Sequence, residues 1–202
     1  MFEFFLLSIF SYLFGSIPTA FLIGKLKGMD VREIGSKSIT HTNLARALGW
    51  RYGIISGVLD VLKGAIPTLL AKSFLTNNWQ IILVAFLPTL GHDFPIFFKF
   101  KHGGRGASTF FGASIALIGI KFFLPLFIVW ILIFLLTRMT GLTNFIFPWI
   151  FSIFLYFWYK IGFFPFEYFV FGILEAILIN FALKNNIKRL LEGKEHKTPF
   201  KF

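Results

Sequence analysis

Apolar runs long enough to cross a bilayer recur along this chain. Residues 122–137 read FFLPLFIVWILIFLLT and carry no charge. A transmembrane helix needs about 20 mostly apolar residues. Runs of that kind stand at roughly 3–24, 52–73, 79–98, 109–120, 122–137, 142–159 and 163–183. The fourth is short, which leaves five as the alternative count. A mean hydropathy of +0.77 argues against an ordinary soluble domain. The pattern predicts an all-α fold, a polytopic integral membrane bundle of about seven transmembrane helices. It reads as a single membrane-embedded domain over 1–202, with no repeat and no linker. The first run has no basic stretch before it and a basic loop after it, the reverse of a cleaved signal peptide, so it reads as a retained helix.

Charge sets the orientation. The formal net charge is +11. Lys25, Lys27, Arg32, Lys37, Arg46 and Arg51 fill the loop after the first run, and Lys99, Lys101 and Arg105 the loop after the third. Arg138 follows the fifth run, and the C-terminal stretch holds Lys184, Lys188, Arg189, Lys194, Lys197 and Lys201. The alternate ends carry Lys72, Lys121 and Lys160 alone. Basic loops stay in the cytoplasm. The N-terminus is therefore expected outside and the C-terminus in the cytoplasm. The tryptophans fall mostly near the ends of runs, as an interfacial belt would place them.

Three polar stretches share the basic side. The loop GKLKGMDVREIGSKSITHTNLARALGW is too long and too polar for a plain connector. Ser36, Thr42 and Asn43 offer hydrogen bonds there, and Lys25, Arg32 and Arg46 offer charge. Thr42 or Asn43 is expected to cap a short helix ending near Leu48. The stretch FKFKHGGRGASTFFG places Gly103, Gly104 and Gly106 around Arg105, with Lys101 just before. Open backbone N–H groups leading into a helix make an anion cradle. No Lys-Ser or Lys-Thr follows at Walker spacing, which disfavours nucleotide. NNIKRLLEGKEHKTPFKF is basic and amphipathic; Asn186 and Arg189 there either lie on lipid or turn back to a bound phosphate. Within the second run, Asp60 and Lys63 share a helix face, where they form a structural ion pair or wall a substrate cleft. The chain has no cysteine and few histidines, so neither thiol chemistry nor a metal is expected. The anion on such a face is a small phosphorylated molecule that meets something dissolved in the bilayer.

Taken in order, these stretches resemble the bacterial integral-membrane glycerol-3-phosphate acyltransferases that use acyl phosphate, the PlsY family. The pieces are GSIP at 15–18, DVREIGS at 30–36, TNLARALG at 42–49, DVLKGAIP at 60–67, GHDFPIF followed by GGRGAST, and NIKRLLEGKEHK at 186–197. The resemblance implies a seven-helix bundle with an external N-terminus in the bacterial inner (cytoplasmic) membrane. It implies acyl transfer from acyl phosphate to the 1-hydroxyl of sn-glycerol 3-phosphate, giving lysophosphatidic acid and phosphate, the first step of phospholipid synthesis. No cofactor, carrier protein or nucleic acid enters, and a separate soluble enzyme makes the acyl phosphate.

By the same resemblance, Ser36, Arg46, Arg105 and Asn186 are the expected catalytic residues. Lys25, Thr42, Asn43, Lys101, Gly103, Gly104, Gly106 and Arg189 are the expected substrate-binding ones. Glu195 matches a structural glutamate. The chain departs from the family at several points. It reads Lys37-Ser38 for Gly-Asn, Thr40 for Gly, and His41 for a small residue. His102 looks like an insertion, Arg105 replaces Lys, and Leu183 stands for His. No Ser–His–Asp set is legible, so Ser36 is expected to position substrate. The substrate phosphate and His41 are both open as the proton acceptor. Two rivals remain: an enzyme for another phosphorylated acceptor, and a non-catalytic membrane protein that binds phosphate or lipid.

Overall fold

Helices stand at all seven apolar runs. The computed structural model describes residues 1–35, 38–101 and 103–195, and those residues contain α and 3₁₀ helix but no strand. The chain divides into two compact units, Met1–Leu117 and Ile118–Phe202.

The first unit opens with α1 (Phe2–Gly15) and α2 (Thr19–Leu26), bent by 44° at a break of a few residues. Pro18 supplies no N–H, so one long helix gives way to two. A 3₁₀ turn at Val31–Glu33 precedes α3 (His41–Leu48) and α4 (Trp50–Phe74). Then come α5 (Asn78–Asp93), a 3₁₀ turn at Ile96–Phe98, and α6 (Ala107–Ile118). Glycines let these helices meet backbone to backbone, the small-residue packing typical of membrane helices. A Cβ on Gly91 of α5 would lie 2.3 Å from the Tyr12 carbonyl oxygen of α1. One on Gly64 of α4 would lie 1.9 Å from the Thr109 oxygen of α6, and one on Gly112 of α6 would lie 1.8 Å from the Val61 oxygen of α4. At the far end of α4, Lys72 Nζ donates to the last carbonyls of α6, Ala116 and Leu117, at 3.0 Å each.

The second unit holds α7 (Ile120–Thr137), α8 (Thr140–Lys160), α9 (Phe166–Ala182) and α10 (Lys184–Leu191). Trp130 on α7 donates to Asn144 on α8 at 2.9 Å. Gly172 of α9 backs onto Ser152 of α8. Phe122, Trp158 and Phe163 cluster with ring centroids 4.9 Å apart. Leu124, Ile128, Leu132 and Leu135 form an exposed apolar stripe along α7, which water would oppose and a lipid interior would not.

By length and composition, α4, α5 with its 3₁₀ extension, α7 and α8 can each cross a membrane, and the bent pairs α1–α2 and α9–α10 raise the number to six. Helix α6 has twelve residues. At 1.5 Å per residue it extends about 18 Å, short of a hydrocarbon core of about 30 Å.

Candidate active site

The first unit holds a buried knot of charge. Asp60 and Lys63 lie one turn apart on α4 and are 1% and 2% exposed. Lys63 Nζ is 2.7 Å from Asp60 Oδ1. It also donates to the Ile17 carbonyl at 2.8 Å and lies 3.3 Å from His92 Nδ1. The break between α1 and α2 frees that carbonyl from the helix ladder and turns it into a ligand for the ammonium. Thr19, the first residue of α2, donates its hydroxyl to Asp60 Oδ1 at 2.6 Å and sits 3.3 Å from Ser56 Oγ. Asp60 Oδ2 has no hydrogen-bond partner. Facing it, at 4.0 Å, is His41 Nδ1.

The glycine-rich loop is moulded onto the C-terminus of α5. The Gly104 N–H donates to the His92 carbonyl at 3.0 Å. A Cβ at Gly104 would lie 1.9 Å from His92 Nε2, and one at Gly103 would lie 1.7 Å from the Asp93 carbonyl oxygen. Gly106 has φ +63°, which L side chains seldom adopt, and α6 starts at the next residue. Arg105 and the Gly106 amide lie within electrostatic reach of the buried Asp93 carboxyl, though neither Asp93 oxygen meets hydrogen-bond geometry. The cradle therefore has glycine where a side chain would strike the α5 terminus, and a cation among its glycines.

The first polar loop is tied to the same end. Asp30 accepts from the Arg32 backbone N–H at 3.0 Å and from Arg32 Nε and Nη2 at 2.9 and 2.7 Å. Lys25 Nζ is 3.1 Å away. The Arg32 hydrogen bonds, helped by Lys25, hold the Asp30 carboxyl well below the usual carboxylate range. The Arg32 guanidinium stacks 4.7 Å from the Phe21 ring and 5.3 Å from the Phe98 ring, which joins the loop to the turn before the glycines. Asn43 is fully buried, and its Nδ2 donates to the carbonyls of Val31, Ile34 and Ser38 at 2.8, 3.0 and 3.0 Å. One amide thus gathers the loop from both sides.

The cap of α3 differs from expectation. Thr40, not Thr42 or Asn43, accepts the Asn43 N–H at 3.3 Å. Thr40 has the extended backbone of an N-cap residue, whereas the other two already lie inside the helix. Thr42 Oγ1 reaches Thr40 Oγ1 at 3.2 Å.

In the second unit, Asn186 is buried at the start of α10, after a 65° bend from α9. Its Nδ2 donates to Glu195 Oε1 at 2.6 Å, and Arg189 Nε donates to Glu195 Oε2 at 3.0 Å. Glu195 gathers the two expected site residues of this stretch.

The first unit therefore brings Lys25, Thr42, Asn43 and the glycines Gly103, Gly104 and Gly106 into one framework with Arg105. Arg46 is exposed in the last turn of α3, and Lys101 is exposed just before the cradle. Ser36, like Lys37 and His102, lies outside the described residues. The sequence reading missed Thr19. Thr19 could have been found as the polar residue that follows a proline break opposite an intramembrane Asp. Among the described residues no group of His, Asp and Glu is arranged to hold a metal.

A family model described as glycerol-3-phosphate acyltransferase matches residues 5–193. The chain belongs to the glycerol-3-phosphate acyltransferase family. Among curated acyltransferases of that name, the one from Aquifex aeolicus is 40% identical over 192 residues, covering 95% of this chain and 97% of the relative. The one from Thermotoga petrophila is 37% identical over 198 residues, covering 95% of each. Two solved crystal structures of PlsY (YgiH), an integral membrane glycerol 3-phosphate acyltransferase, share the fold at 38% identity. The glycerol 3-phosphate form has a TM-score of 0.86 over 97% of this chain and 96% of that one. The lysophosphatidic acid form has a TM-score of 0.85 over 97% and 95%. This acyltransferase is an integral membrane protein.

Proposed function

We propose that this chain transfers a fatty acyl group from acyl phosphate to the 1-hydroxyl of sn-glycerol 3-phosphate, releasing lysophosphatidic acid and phosphate. The observation that carries the reading is the glycine cradle. It is fixed on the α5 terminus, holds Arg105 and adjoins the first polar loop, in a chain that matches the family over residues 5–193. The related crystal structures are of glycerol 3-phosphate and lysophosphatidic acid forms, which are the acceptor and product of this reaction.

Acyl phosphate is an activated donor with a good leaving group, so the protein's task is to position and to neutralise charge. Arg46, Arg105, Lys101 and the N–H groups of Gly103, Gly104 and Gly106 hold the phosphates. Ser36 and Thr42 position the acceptor. Asn43 and Lys25 act through the loop they organise, and Asn186 and Arg189 form the third motif around Glu195. Holding hydroxyl and carbonyl in register supplies much of the rate, and fixed donors stabilise the developing oxyanion. The polar face lies in the cytoplasm and the N-terminus outside, in the cytoplasmic membrane of a bacterium. A soluble enzyme supplies the donor.

The test gives purified protein labelled glycerol 3-phosphate with either acyl phosphate or acyl-CoA. Lysophosphatidic acid formed from acyl phosphate alone is the expected result. Product from acyl-CoA alone would refute the donor, and no product from a folded preparation would refute the activity.

A further inference from the structure

Two carbonyls of α5 that the helix ladder leaves over are served by adjacent residues of α1. The Val84 carbonyl would take its helix bond from Pro88, which has no N–H. Ser11, fully buried, donates its hydroxyl there at 2.6 Å. The Phe94 carbonyl lies past the last turn, because Phe94 has left helical geometry and Pro95 follows it. Tyr12 donates its hydroxyl to that carbonyl at 2.7 Å. The Tyr12 backbone meets α5 one turn earlier, where its own carbonyl oxygen fills the space a Cβ on Gly91 would need. Tyr12 therefore grips the last turn of α5 at both ends. The same turn carries the cradle. Of its final carbonyls, that of His92 accepts the Gly104 N–H at 3.0 Å, that of Asp93 lies against Gly103, and that of Phe94 is held by Tyr12.

We propose that the Tyr12 hydroxyl is a positioning group for catalysis, setting the cradle by fixing the α5 terminus on which it is moulded; the inference rests on the acyltransferase reading above. Tyr12 acts through Phe94 and not on the substrate. The link from Phe94 to the cradle is stiff. The N–H groups of Phe98 and Phe100 both donate to the Pro95 carbonyl, at 3.1 and 3.0 Å, and the Lys101 N–H donates to the Phe98 carbonyl at 3.1 Å. A turn bonded in this way passes a shift of Phe94 on to the glycines. Those glycines meet α5 main chain to main chain and side chain to main chain at closest approach, so the cradle N–H groups move with the terminus. Ser11 has no such leverage. Its partner Val84 lies in the interior of α5, where the ladder on either side keeps the backbone in place. Removing the Ser11 hydroxyl takes away a bond of the same kind, between the same two helices, and leaves the terminus where it is.

The experiment compares wild type with Tyr12→Phe and Ser11→Ala, each of which removes one hydroxyl from the contact between α1 and α5, with folding verified by thermal unfolding in detergent. Rates are measured with acyl phosphate and varied glycerol 3-phosphate. Hydrogen exchange at Gly104, whose N–H is bonded to His92, reports the cradle without substrate. A misplacement of about 1 Å can cost about 10²-fold in rate, and a smaller shift correspondingly less. The expected result for Tyr12→Phe is a kcat/KM for glycerol 3-phosphate lower by about tenfold, carried mainly by KM, with faster exchange at Gly104. Ser11→Ala should lower the thermal midpoint by a similar amount, yet keep kcat/KM within about threefold and Gly104 exchange as in wild type. An active wild type whose two variants share the same kcat/KM and the same Gly104 exchange makes Tyr12 a fastening like Ser11 and overturns the inference alone. A Tyr12→Phe variant that fails to fold while Ser11→Ala folds also overturns it, since the hydroxyl then serves the fold. A wild type that makes no product overturns the acyltransferase reading and the inference with it.

Discussion

Gly103→Ala tests the cradle most directly. A Cβ there would lie 1.7 Å from the Asp93 carbonyl oxygen and 2.3 Å from its carbon. Ordinary contact begins at 3.4 Å, so the loop must withdraw by about the difference, which is more than an ångström. The obstacle is main chain at the end of α5, which has no rotamer to change. Withdrawal would break the Gly104 N–H bond to the His92 carbonyl, a loss of about 1 kcal/mol to stability. Misplacing bound substrate by about 1 Å can cost 10²-fold in rate, equivalent to about 2.7 kcal/mol. Catalysis should therefore suffer more than the fold. The assay pairs kcat/KM for glycerol 3-phosphate with the thermal midpoint in detergent. A folded variant that keeps kcat/KM within threefold would falsify the placement of the anion at this loop. A variant that loses catalysis and fold together would show that Gly103 serves packing alone.

Three further outcomes follow from the geometry. Lys63→Met strips Asp60 of its nearest counter-charge and should cost about 3 to 5 kcal/mol, whereas adding Asp60→Asn should recover much of it; unfolding of both variants in a double-mutant cycle measures the coupling, and additive losses would refute it. Because the Asp30 carboxyl titrates below its ordinary value, its contribution to the loop is complete above about pH 4 and is lost as pH falls further. The hydrogen-exchange protection factor at Arg32, taken relative to the intrinsic rate at each pH, should fall below that pH in wild type, and an Asp30→Ala variant should show little protection throughout. Glu195→Ala releases both Asn186 and Arg189 and should destabilise the α10 region by about 2 kcal/mol; unchanged protease resistance of the C-terminal helix would count against that tie.

The apolar runs located every long helix, because in a membrane the run itself is the structural signal. The motifs also marked the glycine loop that packs on the end of α5 and the polar loop tied to the same end. What they could not convey was how buried groups are shared across long stretches of chain. Lys63 and Ile17 are 46 positions apart, and the carbonyl is available only because the helix breaks at Pro18. In sequence, the Asp60–Lys63 spacing reads first as a private ion pair. Nothing in the sequence marks His92 as the backing of Gly104, a contact that depends on the turn between them. The cap is Thr40 because the helix starts one residue earlier than Thr42, and the Asn43 side chain is committed instead to three loop carbonyls that only tertiary folding brings within reach.

Short helix α6 has a consequence for where the chemistry takes place. It ends beside Lys72, near the last residues of α4, and starts beside His41 and Asp60, close to the midpoint of α4. Helix α4 has 25 residues and extends about 37 Å, enough to traverse the hydrocarbon with a turn to spare. The start of α6, just after the cradle, therefore lies level with the middle of α4 rather than with its end. On the reading proposed above, a donor dissolved among the acyl chains would meet the acceptor partway along a spanning helix and need not be drawn out into water. The polar ester would make the journey instead, in past the first loop.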